Sequence, residues 1–570
     1  MMELDLLLVH APSVYDFRDR DDILFAYLSN SDSVHVSPIF EMPPVGVFAI
    51  EQHVRKQGFR SAFLNVASSM LKRPDLDVEE LFANIKTKVI GFDLHWLIHC
   101  QGGLALSKLF KEMHPETKVL FGGIASTYHN EELFQYPWVD YVIRGYDTLY
   151  PVELLMKSEN RPEALEEIPN LTWRRGSEIV SNPLTYLPRV FSAAVDWSQV
   201  FNPDRSNMTP YNLVIPQAGC EYNCKWCGGS RYFFGKYMGI SKPSRVHKSP
   251  ELLQMELSSI AKANTDNQTV TMIDFWHEYE ELFTVAEDVF FDDKIKSVHF
   301  SLHRLPKIEK AQRMGDGIKA VFELSPDSHN VEVARASGRG LYTMEEMEEF
   351  IDALIDKVYS FEIYFMIGLP KQTPELVMEN VEYCEHLLEK YKGKRVVPFM
   401  CPMLPFLDPG SEIFDNPEKN GYRLFHRTLE EHRQALGEIN WRDRLNYETE
   451  WMTRDQLVEV SYKAVRQLTL AKAKAGKLPR GIAQGIVALI DQTHELLDRI
   501  DAVQTMPEGP EKEAESARIR EEVREYNANQ FRSIRSQQRP TDAGFAQEQW
   551  FDTEGLIDQI LGRSLEPASA

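Results

Sequence analysis

Apolar and polar positions along this chain repeat with two periods. Residues 4–10, Leu-Asp-Leu-Leu-Leu-Val-His, are apolar almost throughout, the pattern of a parallel strand covered on both faces. Ala11-Pro12-Ser13 stops it. Pro43-Pro44-Val45-Gly46 then opens a helical pattern that runs to Gly58, a residue suited to a helix end. Strand-like runs follow at 61–66, 88–93, 118–121 and 139–143, with helical stretches between them. Such alternation predicts an α/β fold with a doubly wound parallel sheet, which binds ligands beyond the carboxyl ends of its strands. The loops there are His10–Tyr15, Asp93–Cys100, Gly122–Tyr128 and Arg144–Leu149.

Residues 156–210 read as a connector with a short hairpin around Arg175-Gly176-Ser177. Alternation resumes with strands expected at 211–217, 269–274, 297–302, 319–325, 361–367 and 396–400, and helices such as Met344–Val358 and Glu375–Tyr391. Six βα repeats predict a partial barrel whose reacting centre lies at the C-terminal strand ends. That gathers Cys220–Cys227, Asp274, His277, Arg304, Glu323, Ser325 and Gly368 at one mouth. After Pro409-Gly410 the pattern turns helical through 411–505, with Val487, Ile490, Leu497 and Ile500 on one face. The charged stretch 507–535 reads as a solvated helix or mobile arm. Trp550, Phe551, Leu556, Ile557, Ile560 and Leu561 suggest a final docking helix. The helical region is expected to close the barrel mouth or shape a substrate pocket; a dimer arm is the other reading. The expected units are 1–155, 156–210, 211–410 and 411–570.

Charge narrows the partners. With 63 basic and 86 acidic residues the net charge is −23, against a phosphate-backbone partner, whose affinity rests on basic patches. No apolar run approaches the roughly 18 residues of a membrane helix, and Met-Met-Glu-Leu-Asp-Leu lacks the basic start of a signal peptide. Six cysteines in 570 residues are no disulfide framework. A soluble, cytoplasmic protein is expected, with Cys100, Cys384 and Cys401 as small buried hydrophobes.

The other three form Cys220-Glu-Tyr-Asn-Cys224-Lys-Trp-Cys227-Gly-Gly. Thiolates at this spacing can turn onto one metal centre, and soft donors select iron–sulfur clusters or zinc. A structural zinc needs four ligands, and the next histidine, His247, lies twenty residues on with no paired partner. Three thiolates on a four-iron cluster leave one iron open. The alternatives are zinc or three unrelated core cysteines. Gly228 and Gly229 let backbone approach an inorganic core.

The spacing, with Trp226 before the last cysteine, resembles the signature of the radical S-adenosylmethionine (SAM) superfamily. That resemblance implies a 4Fe–4S cluster on Cys220, Cys224 and Cys227, with SAM chelated to the open iron and cleaved by one electron to a 5′-deoxyadenosyl radical. Phe365-Met-Ile-Gly368-Leu-Pro370 is similar to the family's fifth-strand adenine motif, and Glu323-Leu-Ser325-Pro-Asp-Ser328 to its fourth-strand stretch near ribose and carboxylate. Asp274 stands where polar groups hold the SAM amino group, although Asp274-Phe-Trp-His replaces the common Gly-Gly-Glu. The implied SAM contacts are therefore Trp226, Asp274, Glu323, Ser325 and Gly368.

Residues 1–155 resemble the cobalamin-binding domain that precedes such barrels, through Pro43-Pro44-x-Gly46, Phe121-Gly122-Gly123 and Arg144-Gly145-Tyr146-Asp147. Tyr146-Asp147-Thr148 departs from the usual Gly-Glu. The resemblance implies cobalamin contacts from His10, Pro12, His95, Gly122, Gly123, Arg144 and Gly145. The Asp-x-His-x-x-Gly signature is absent. Asp93-Leu94-His95 is a fragment of it, but it follows the third strand, with Ile98 in the glycine's place. His95 is either a cobalt ligand or an ordinary strand-end histidine, and the default is cobalamin without a protein nitrogen on its lower face.

Together these resemblances imply a cobalamin-dependent radical SAM C-methyltransferase. The alternatives are radical cyclisation, oxidation or carbon–carbon coupling without methyl transfer, and a non-catalytic regulatory module. An external one-electron donor is implied. The substrate is a small molecule, lipid or peptide; Phe233, Phe234, Trp276 and Tyr364 could line its pocket. No residue identifies a general base or radical quencher.

Overall fold

The apolar runs become strands, and the strands build two parallel sheets. The computed structural model describes residues 1–26, 38–200, 211–262, 269–273, 278–290, 295, 297–403, 405–536 and 554–562. In the first sheet β1 (Met2–His10) lies between β2 (Ser61–Asn65) and β3 (Ile85–Asp93), and β4 (Lys118–Gly122) and β5 (Tyr141–Ile143) follow outward. These five strands are parallel, in the order 2-1-3-4-5. Leu6 and Leu8 of β1 join one core while Leu7 and Val9 join another. Both faces are thus covered, which is why the run lacks polar alternation. Each such side chain contributes about 1.5–3 kcal/mol on full burial. The hairpin forms as β6 (Leu171–Arg175) and β7 (Glu178–Ser181), but it is no free connector. It extends the first sheet antiparallel beyond β5, to seven strands.

The second sheet starts with β8 (Tyr211–Val214), which ends before Gln217. Pro216 has no N–H for a ladder. Gln217–Gly219 (β9) turns off to pair antiparallel with β10 (Arg245–His247). Then β11 (Thr269–Ile273), β12 (Ser297–Leu302), β13 (Lys319–Asp327), β14 (Ser360–Ile367) and β15 (Val396–Pro402) add in sequence, all parallel. Six parallel strands in chain order, with helices between, form the open partial barrel expected from the alternation. Val298, Phe300, Phe322, Leu324, Phe361 and Ile363 pack in the main core. Side chains alternate across a strand, so His299, Ser301, Glu323, Glu362 and Tyr364 turn to the other, inner face.

A small antiparallel pair, β16 (Tyr422–Leu424) and β17 (Tyr447–Thr449), reaches the end of β14. There Tyr422 donates to the Gly368 carbonyl at 2.6 Å. The long helices lie elsewhere. Helix 454–474 packs on β15 and on helix 374–390, helix 480–505 packs on it, and helix 510–536 follows. The charged stretch expected to be solvated or mobile is docked. Ile519, Val523, Tyr526 and Phe531 are buried, and Asn527 accepts from the Phe25 amide and donates to the Ile23 carbonyl of the first unit. The last helix, Glu554–Ile560, buries Ile557 and Ile560 and pairs Asp558 with Arg73 at 2.7 Å. Trp550 and Phe551 lie outside the described residues.

Candidate functional site

The cysteine loop leaves β9 and returns as helix Arg231–Tyr237, capped by Ser230, whose hydroxyl accepts from the Phe233 amide. Cys220, Cys224 and Cys227 pack in one group with Tyr222, Trp226 and Leu341. Backbone amides face two of the sulfurs: Tyr222 N donates to Cys220 Sγ at 3.4 Å and Gly229 N to Cys227 Sγ at 3.2 Å. Burial, with Cys224, Asp408 and Cys220 nearby, pushes the Cys227 thiol far up. Among the described residues no three His, Cys, Asp or Glu side chains close around a single ion, the three cysteines included. Three soft donors in one pocket, two of them met by amides, fit a wider iron–sulfur centre.

A second loop braces the first. Lys225 N donates to the Ser337 carbonyl at 2.8 Å. At Gly338 (φ +88°) a Cβ would stand 2.2 Å from the Asn223 carbonyl oxygen and 3.2 Å from Cys224 Cα. Only glycine allows this approach. The next residue, Arg339, pairs with Asp327 at 3.1 Å, both buried.

On the inner barrel face, Glu323 accepts from Ser301 at 3.0 Å and lies 3.3 Å from His299 Nε2. Burial opposes both charges, yet the pair holds Glu323 low and His299 high. Ser325 is half-buried on the same face. Arg304 stands beside the cysteine loop, 3.6 Å from Glu221 and 5.5 Å from the Tyr222 ring centre. Gly368 (φ +100°) is turned to protein: its Cβ position is 2.3 Å from the Tyr447 hydroxyl. Of the aromatics offered for a substrate pocket, Phe233 is fully buried, and Tyr364 stacks on Phe399 and donates to Glu362 at 3.1 Å. Asp274, Trp276 and His277 lie outside the described residues.

At the first sheet the residues singled out are mostly engaged with protein. His10 is fully buried. Its Nδ1 lies 3.0 Å from both Asp93 oxygens and its Nε2 3.0 Å from the Phe40 carbonyl. Burial works against its proton, but Asp93 and Phe40 raise its pKa. No ring nitrogen is left for a metal. Pro12 is buried beneath helix Cys100–Met113, where a Cβ on Gly102 would overlap its carbonyl. Arg144 donates to the Asn170 and Asn182 carbonyls of the hairpin. Gly145 (φ +111°) takes its amide to Thr127 Oγ1 at 3.2 Å.

Gly123 (φ +117°) makes room for the protein's own chain, since a Cβ there would lie 2.6 Å from His95 Cα. Gly122, in contrast, meets nothing nearer than 3.9 Å. His95 is half-buried and drawn down by burial to about 4, hence neutral; Trp96 beside it is exposed. Gly122, His95 and Trp96 are therefore the parts of this rim open to a ligand.

The two rims meet. Tyr128, after β4, packs on Tyr237 and Phe414. Asp415 accepts from Tyr128 (3.3 Å), Tyr232 (2.8 Å), Tyr237 (2.7 Å) and Lys236 (2.6 Å). Gly410 fits between Phe233 and Tyr128. Asp408 accepts the Gly228 amide at 2.9 Å. Its carboxyl keeps accessible surface, yet burial raises its pKa to about 6. Arg339 and Asp408 escaped the sequence reading, while Asp327 and Tyr128 lay inside stretches it named, Glu323–Ser328 and Gly122–Tyr128, without a role of their own. The glycines flanking Arg339 were its visible signal; Asp408-Pro409-Gly410 reads only as a break.

Residues 34–155 match the family model of the B12 binding domain. No curated protein matches the chain in sequence. The chain is similar in fold to the radical S-adenosylmethionine methyltransferase TsrM from Kitasatospora setae with cobalamin and a 4Fe–4S cluster bound. That likeness has a TM-score of 0.55 at 14% identity, over 82% of this chain and 89% of TsrM. It is also similar to the cobalamin-dependent S-adenosylmethionine radical enzyme OxsB with aqua-cobalamin and SAM bound, with a TM-score of 0.50 at 12% identity, over 98% of this chain and 75% of OxsB. At these identities the likeness shows the shared fold.

Proposed function

We propose that this chain is a cobalamin-dependent radical SAM enzyme that transfers a methyl group to an unactivated carbon. The observation that carries this reading is the apposition of two rims. One is the end of a sheet matching the B12 binding domain, and the other bears three cysteines at the end of a six-stranded open barrel. Cys220, Cys224 and Cys227 would hold the cluster, with Trp226, Glu323 and Ser325, together with Asp274, as the expected surroundings of SAM; Gly368, packed against Tyr447 and Tyr422, would act only by shaping the strand end. His95, Gly122 and Gly123 would border the corrin, with His10, Pro12, Arg144 and Gly145 fixing the loops that shape its edge. When bound, these groups supply hydrogen abstraction and methyl delivery; the protein orients them and excludes water.

The chain's own part is positional. Asp408 and the Ser337–Leu341 loop fix the cysteine loop from two sides. The tyrosines around Asp415 fasten that loop's helix to the first sheet's rim. Among the described residues no helix is long and apolar enough to cross a membrane.

Anaerobic reconstitution with methyl-labelled SAM tests the proposal. Label in product together with 5′-deoxyadenosine is the expected result. Product without label would remove methyl transfer and leave the radical reading, and absence of 5′-deoxyadenosine from a reduced, cluster-loaded enzyme would remove both.

A further inference from the structure

Arg339 is a buried cation set against the cysteine loop. Its side chain is 6% exposed and that of its partner Asp327 is 1% exposed. One guanidinium nitrogen, Nε, meets Asp327 at 3.1 Å; another, Nη1, is buried with no hydrogen-bond partner among the described residues. Its position is fixed by the chain around it. Gly338 and Gly340 both have positive φ, and the Arg339 amide donates to the Ala334 carbonyl at 2.8 Å. Ser337 and Gly338 press on the loop at Lys225, Asn223 and Cys224, and Leu341 joins the group of three cysteines. A buried orphan donor costs about 1–3 kcal/mol, more for a charged group. Such a group is retained where something absent from the bare chain completes it.

We propose that Arg339 faces the cluster held by Cys220, Cys224 and Cys227 and sets its reduction potential, with Asp327 as the counterweight that limits its charge. This rests on the cluster reading above. Reduction adds one electron, from an external one-electron donor, to a centre already ringed by thiolates. A fixed guanidinium favours the reduced, more negative form, because cluster potential follows local charge and hydrogen bonds to sulfur. The titratable groups around Arg339 are Asp327, Cys224, Tyr342, Cys227 and His303, and of the thiols Cys227 is held neutral by burial in the bare chain. Arg339 is thus a positioning and tuning residue rather than a catalytic one.

The test is an anaerobic redox titration of the SAM-free, reconstituted full chain, followed by electron paramagnetic resonance, with iron counted in each sample. Arg339→Gln should move the potential negative, Arg339→Lys should stay near wild type, and Asp327→Asn should move it positive. Should Arg339→Gln fail to hold iron, Asp327→Asn still decides: a positive shift beside a wild-type potential in Arg339→Lys is expected, and a wild-type or negative potential in Asp327→Asn would overturn the proposal. Wild-type potential in both Arg339→Gln and Asp327→Asn would overturn the proposal. So would shifts of the same sign, the mark of a loosened loop. An unchanged SAM-free potential with the SAM-induced spectral change lost would also overturn it, making Arg339 a substrate-carboxylate contact. Wild-type chain that assembles no cluster would instead sink the underlying reading, which is a separate outcome.

Discussion

At the rim of the first sheet, glycines make room for protein; at the rim of the second, they make room for a loop of three cysteines. Gly123 lies against the His95 backbone and Gly102 against Pro12, while His10 and Arg144 are held by Asp93, Phe40 and the hairpin. Gly228 and Gly338 instead bring Asp408 and the Ser337–Leu341 loop onto the three cysteines. A cofactor at the first rim would be held by shape and backbone, and one at the second by bonds to sulfur. The first arrangement tolerates changes in single side chains. The second does not.

Cys224→Ala gives the largest expected difference. It should abolish iron binding and all turnover while corrin absorbance of the purified chain persists; loss of both would show that the rims are not separable. Gly338→Ala comes next. Its Cβ would meet the Asn223 carbonyl at 2.2 Å with φ at +88°, a strain on the order of 1–3 kcal/mol. Denaturant melts should show that loss, with reduced iron content. Gly123→Ala should cost a similar amount at φ +117° but mirror the site effect, lowering corrin content and sparing iron.

Asp408→Asn has the smallest effect and a defined sign. The folded chain raises the carboxyl from 3.8 to about 6, so the unfolded chain ionises first. In the metal-free protein, stability should fall as pH rises from about 4 to 6 and then level. Asp408→Asn should flatten that slope, as read from melting temperatures across the same range, and an unchanged slope would place the titration elsewhere.

Much of this was legible in local pattern. Residues 4–10 gave β1 because a strand covered on both faces has no polar alternation to lose, and the cysteine spacing survives as one packed group. Contacts across long separations were not legible. Asn527 caps the chain at Phe25, and the stretch around it reads as solvated because its few apolar residues lie among charges: Tyr526 meets Thr493 of helix 480–505, and Phe531 meets Phe17 and Phe25 far off in sequence. Gly122-Gly123 reads as clearance for a ligand, but sequence cannot tell whether the space beside a glycine holds a ligand or another stretch of chain. At Gly123 it holds His95. Arg339 was hidden for a related reason, since its meaning comes from Asp327 and from a loop more than a hundred residues earlier.

The most direct measurement is iron and acid-labile sulfide per chain after anaerobic reconstitution, together with the spectrum of the reduced protein before and after SAM. Three cysteines holding a four-iron cluster with one open iron predict four of each per chain and a signal that changes when SAM is added. One zinc per chain, or a cluster signal indifferent to SAM, would contradict the account.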